Sequence, residues 1–83
     1  MEYLVLIPKQ LAVVLKSRRK SLNLTQTEAG ERVGLLPKTI SLLESHPERC
    51  SLESLYKLVS ALNLEISLTP KTSQAIDRSK GAW

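Results

Sequence analysis

Few side chains in this sequence could do chemistry. His46 and Cys50, the one histidine and the one cysteine, stand four residues apart. That spacing could set two metal ligands on one helical turn, but Pro47 between them breaks such a turn, and a zinc site needs about four ligands. No nucleophile with its own base and orienting acid stands out, so neither enzymatic activity nor a cofactor is expected. What remains is charge. Twelve Lys and Arg stand against eight Asp and Glu, a formal charge of +4. The cations cluster: Lys9, Lys16, Arg18, Arg19 and Lys20 fall within residues 9–20 with no acid among them. Such charges bind nucleic acid by displacing counterions from phosphates. The same cluster would also suit a helix C-terminus, where cations complement the macrodipole.

These residues need a scaffold, and 83 residues allow one domain. A chain this short buries little surface and usually needs a staple or a partner. With a single cysteine no internal disulfide can form, so dimerisation is the expected extra source of stability. One unpaired thiol fits a reducing compartment. The apolar run from Tyr3 to Ile7 is far shorter than the roughly 20 residues of a membrane span. It follows Glu2 rather than a basic stretch and ends at Pro8, which makes a poor signal peptide. A cytoplasmic protein with no membrane partner is expected.

The chain divides into four segments. Residues 1–7 read as an N-terminal arm or short strand, stopped by proline. Residues 8–63 carry helical signals. Pro8 suits a first turn, and Leu11, Val14 and Leu15 recur at helical spacing towards Lys20. Thr25 and Glu28 have capping-box spacing, Ala29 and Val33 share a face, and Gly34 supplies a left-handed stop for this second helix. Pro37 opens a third helix with Ile40 and Leu43 inward and Lys38, Ser41, Leu42 and Ser45 opposite. Ser51 and Ser54 flank the start of a fourth, whose Leu52, Leu55, Leu58, Val59 and Leu62 make a wide apolar stripe ending near Asn63. Leu64 to Leu68 then alternates as a half-buried strand does, within a segment spanning residues 64–69. Residues 70–83 are polar and read as a flexible tail. The fold class is mainly α: four to five helices, a short C-terminal dimerising β-strand, and an N-terminal strand as a further candidate.

The segment from Leu24 to Glu44, LTQTEAGERVGLLPKTISLLE, resembles the helix-turn-helix of the Cro-like and phage-repressor-like (XRE) family of bacterial regulators. Leu24-Thr25-Gln26 opens the first motif helix, Gly30 lies four before the turn glycine Gly34, and Ile40-Ser41 and Glu44 complete the second. SLESLYKLVSALNL resembles the family's following helix, so the likeness covers roughly residues 9–64. It implies that the second motif helix enters the major groove of double-stranded DNA, a channel about 12 Å wide. The base-reading positions it implies run from Leu36 through Pro37, Lys38, Thr39 and Ser41 to Leu42. Gln26, at the start of the first motif helix, can donate to a phosphate. The likeness also implies a structural ion pair between Arg19 and Glu44, which leaves Lys16, Arg18 and Lys20 to meet phosphates. Gly30 stands where the family often has alanine. A helical glycine costs about 0.8–1.0 kcal/mol relative to alanine, so a looser motif than average is expected. Leu36 and Leu42 replace residues that are often polar, so modest base readout with a larger share from DNA shape is expected.

A lone strand demands a partner for its backbone. Leu64, Ile66 and Leu68 are the dimerisation residues if it pairs with a second copy about a two-fold axis, which suits a pseudo-palindromic operator. Pairing with residues 2–6 of its own chain is the alternative, and both could hold in one small sheet. Helices followed by LNLEISLTP resemble the HipB-type antitoxins. That likeness implies a homodimeric repressor of its own operon, located on the bacterial nucleoid, with a HipA-type toxin kinase as partner. Trp83, the sole tryptophan, suits an anchor in that partner's pocket. A free-standing regulator of the same fold with no toxin partner is the alternative, and a protein-interaction module without DNA binding is a third reading.

Overall fold

The computed structural model describes residues 2–71 of the chain, and the expected anchor Trp83 lies outside the described residues. Four α-helices follow one another: α1 Pro8–Ser21, α2 Gln26–Glu31, α3 Pro37–Leu43 and α4 Leu52–Ala61, with a 3-10 turn at Pro47–Arg49 before the last.

Local chemistry explains each boundary. The Gln10 Oε1 atom accepts from the backbone N–H groups of Leu6 and Ile7 at 2.6 and 3.2 Å, closing the start of α1 behind Pro8. The capping box at α2 is present in both directions. Glu28 N–H donates to Thr25 Oγ1 at 3.0 Å, and Thr25 N–H donates to Glu28 Oε1 at 2.8 Å. Ser51 caps α4, its hydroxyl oxygen accepting from Ser54 N–H at 3.0 Å. Helix α2 stops at Glu31, earlier than the glycine-based expectation; Gly34, at φ +73°, instead forms the turn that launches α3.

The core gathers one face from every helix. Leu15 of α1, Ala29 of α2, Ile40 and Leu43 of α3, and Leu58 with Leu62 of α4 are fully buried together. Helix α2 has six residues and α3 seven, too few to persist alone, so their shape depends on this shared packing.

Gly30 corrects one expectation. A Cβ at this position would lie 2.2 Å from the carbonyl oxygen of Leu35, which no side chain can accept. The backbone of the turn closes directly over it, with Leu35 N–H donating to Gly30 O at 2.9 Å. The glycine is a requirement of close approach, and it tightens the motif rather than loosening it.

No strand forms among the described residues. Residues 64–70 leave α4 without regular structure, as do residues 2–6 before α1, and no backbone hydrogen bond joins the two segments. The alternative of pairing within the chain is therefore not made among the described residues. A strand exists only through its partner, and none is supplied among the described residues.

Candidate nucleic-acid interface

Helix α3 is the element turned outward. Ile40 and Leu43 anchor it in the core, while Lys38, Ser41 and Ser45 are exposed on the other side. Leu36, the residue before the helix, is 63% exposed, and Pro37 beside it is exposed as well. Thr39 and Leu42 are half-buried, so Leu42 divides its side chain between the protein and the surface. Leu36 to Leu42 thus present a mixed polar and apolar surface in which Lys38 carries the positive charge.

The support beneath α3 is a buried ion pair. Arg19, 8% exposed, donates from Nε to Glu44 Oε2 at 2.6 Å and from Nη2 to Oε1 at 3.1 Å. Burying two charges is costly unless further hydrogen bonds answer them. Here they do: Arg19 Nη1 donates to the Leu24 carbonyl at 2.7 Å, and Gln26 Nε2 donates to Glu44 Oε1 at 3.3 Å. Every buried side-chain nitrogen and oxygen among the described residues has a partner. Glu44 caps the C-terminus of α3, and Leu24 and Gln26 flank the start of α2. The pair consequently ties α1 to both ends of the helix-turn-helix. The family likeness had implied this pair, and the geometry makes it bidentate.

The remaining sequence candidates divide. Gln26 sits at the first position of α2, half-buried, with its amide donating to Glu44. Lys16 and Lys20 are exposed on α1. Arg18, half-buried on the same helix, donates from Nε to the Leu62 carbonyl at the end of α4, at 2.9 Å. Sequence pattern gives no sign of a guanidinium that answers a backbone carbonyl 44 residues away.

Leu64, Ile66 and Leu68 lie on one wall of a second feature. A groove of about 540 Å³ runs between the N-terminal arm and the segment after α4, floored by Val14, Leu15, Leu55 and Val59. Leu64 packs against the core, whereas Ile66 is 41% and Leu68 93% exposed. Leu52 and Tyr56, one turn apart on α4, add exposed apolar surface to the same groove.

The His46 and Cys50 pairing does not make a metal site. His46 Nδ1 lies 3.3 Å from Glu48 Oε2, and Cys50 Sγ points to the His46 carbonyl at 3.9 Å. Among the described residues no group of three or more His, Cys, Asp or Glu gathers. Burial, with a lesser push from Glu48, raises the thiol's pKa. No helix among the described residues is long and apolar enough to cross a membrane.

Two short helices, a glycine turn and an outward second helix define a helix-turn-helix domain of the repressor type. Comparison with known proteins agrees. Residues 15–68 match the helix-turn-helix family. The Antitoxin HipB of Escherichia coli O6:H1 is 34% identical over 61 residues, which cover 74% of this chain and 65% of that protein. The Antitoxin HipB of Escherichia coli K12 is 33% identical over 61 residues, covering 74% of this chain and 69% of that protein. The chain thus spans just under two thirds of the first of these relatives. The HipB-O4 20mer complex contains a chain similar at a TM-score of 0.78 and 29% identity, covering 82% of this chain and 96% of that one. A chain of the HipA-HipB-O2-O3 complex reaches 0.80 at 29% identity, covering 87% and 100%. The chain belongs to the Cro- and phage-repressor-like (XRE) helix-turn-helix family, and within it to the HipB-type antitoxins.

Proposed function

We propose that this chain is a sequence-specific DNA-binding repressor that acts as a homodimer and serves as the antitoxin of a HipA-type toxin kinase, repressing its own operon. The observation that carries the reading is the exposed face of α3, held on a buried and fully bonded Arg19–Glu44 pair. A surface prepared in advance binds without first having to be ordered, which is what a groove-reading helix needs. Lys38, Thr39 and Ser41 supply donors for base edges and nearby phosphates, and Leu36, Pro37 and Leu42 supply apolar contact to thymine methyl groups. Gln26 and Lys16 meet the phosphates on either side.

The dimer is completed by residues 64–69. Their backbone groups pair with a second copy about a two-fold axis, which sets two recognition helices against two half-sites. Leu64, Ile66 and Leu68 bury their side chains in that contact. Solved relatives in complexes named for HipB, HipA and short O-site fragments support the choice of partners. Trp83 is the anchor for the toxin, since tryptophan concentrates binding energy in a pocket.

The test of the DNA half uses a duplex selected from a random library by the unmodified protein. Lys38→Ala with Ser41→Ala should weaken binding about 10-fold while the dimer stays folded. Unchanged affinity would put the reading helix elsewhere. The toxin half is tested by co-expression with the neighbouring reading frame. A kinase-like product that co-purifies with the full chain, and is lost with Trp83→Ala, supports the antitoxin. A chain with no such neighbour is a free-standing repressor. One that binds every duplex weakly, without steep salt dependence, is a protein-interaction module.

A further inference from the structure

Helix α4 ends with its carbonyl groups fully accounted for. A helix leaves its last four carbonyls without intrahelical donors, here those of Val59, Ser60, Ala61 and Leu62. Asn63 takes the left-handed conformation at φ +56°, so that Leu64 N–H donates to Val59 O and Asn63 N–H donates to Ser60 O, both at 3.0 Å. The two that this turn cannot answer are taken by arginines from elsewhere in the fold. Arg32 Nη1, just past α2, donates to Ala61 O at 2.9 Å. Arg18 Nε, from α1, donates to Leu62 O at 2.9 Å. Two cations at a helix C-terminus also complement its dipole.

We propose that Arg18 and Arg32 are positioning residues for operator binding: together they clamp the end of α4 to α1 and α2, and so fix the direction in which residues 64–69 leave the DNA-reading unit. This rests on the dimeric DNA-binding reading above. In that dimer the segment after α4 joins the two DNA-reading units, so the clamp helps to set how far apart and at what angle the recognition helices are presented. Arg18 acts through backbone geometry and contributes no phosphate contact. Arg32 does the same from the helix that packs against α3.

The experiment measures binding of the full-length dimer to the library-selected duplex and to versions with the half-site spacing changed by one and two base pairs, across a salt series. Arg18→Lys, Arg18→Gln and Arg32→Gln are compared with the unmodified protein. Each should lose on the order of 3- to 10-fold on the selected spacing, the size expected for one ordinary hydrogen bond. Each should also discriminate less between the selected spacing and the altered ones, with an unchanged dependence of log K on log salt. Arg32 is exposed, so its variant keeps the test alive if Arg18→Gln does not fold. A salt slope reduced by about 0.9 per protomer in Arg18→Gln, and retained in Arg18→Lys, would make Arg18 a phosphate contact and overturn the proposal. Affinity lost with spacing preference intact would overturn it too, as would no loss at all. An unmodified protein that selects no duplex would instead remove the DNA-binding reading beneath it.

Discussion

The face built by α2 and α3 and the groove beside α4 are finished to different degrees. On the first, polar groups beneath the surface are paired before any ligand arrives, and the side chains left exposed are mostly polar. On the second, Leu52, Tyr56, Ile66 and Leu68 are open to solvent, and two extended segments carry backbone groups without a ladder. A small domain does not hold such apolar surface open without use. The difference teaches which partner each face awaits. A surface whose internal bonds are complete suits a foreign molecule, while open apolar side chains beside unladdered backbone suit the second copy proposed above.

The sharpest way to break the comparison is to unpair the finished face. Glu44→Ala leaves Arg19 charged and buried with no carboxylate, which should cost about 3–5 kcal/mol in chemical denaturation. Loss of that size would remove a large share of the roughly 5–15 kcal/mol that holds an ordinary domain folded. A variant as stable as the parent would mean that the pair is idle and that α3 is held by its apolar contacts alone. The groove is broken differently. Ile66→Asp with Leu68→Asp puts charge where the second copy must pack, yet both side chains are exposed in the single chain, so its helices should survive. Sedimentation should show a monomer, and operator affinity should fall on the order of 100-fold as the second half-site loses its tether. A dimer that persists would assign the groove to something other than residues 64–69.

The same contrast explains what the sequence could disclose. The helix-turn-helix was legible because its signals are local: a capping box at Thr25 and Glu28, a proline opening α3, a glycine at the turn, and an apolar pair at Ile40 and Leu43. The ion pair of Arg19 and Glu44 needed a resemblance, since neither residue announces a partner 25 positions away. The bond from Arg18 to Leu62 was not legible either, because its acceptor is a backbone carbonyl that has no identity in sequence. The segment 64–68 has the alternation of a strand, but alternation states only which face would be buried. Whether a ladder forms depends on a partner outside the chain.

A smaller effect tests how tightly the finished face is closed. Alanine in place of a helical glycine ordinarily stabilises by about 0.8–1.0 kcal/mol. At Gly30 the new Cβ would meet the Leu35 carbonyl at 2.2 Å, and the turn backbone would have to shift. Gly30→Ala should therefore reverse the usual sign and destabilise by about 1–3 kcal/mol, the range for overpacking. A thermal melt decides it by direction alone. A rise in melting temperature would show that the turn has room, and that the recognition helix is less firmly held than its hydrogen bonds imply.

The smallest effect separates neighbours on α1. Lys16 is exposed and Arg18 is bonded to Leu62, although the two sit only two residues apart in one basic cluster. If Lys16 reaches a phosphate, Lys16→Ala should reduce the slope of log K against log salt by about 0.9 per protomer. Folding should be untouched, because the side chain supports nothing beneath it. Affinity at low salt should drop while affinity at high salt changes little, since screening has already weakened the contact. A slope equal to that of the parent would place the DNA nearer α3 alone and remove the first helix from the interface, leaving its cations to support the fold and its solubility.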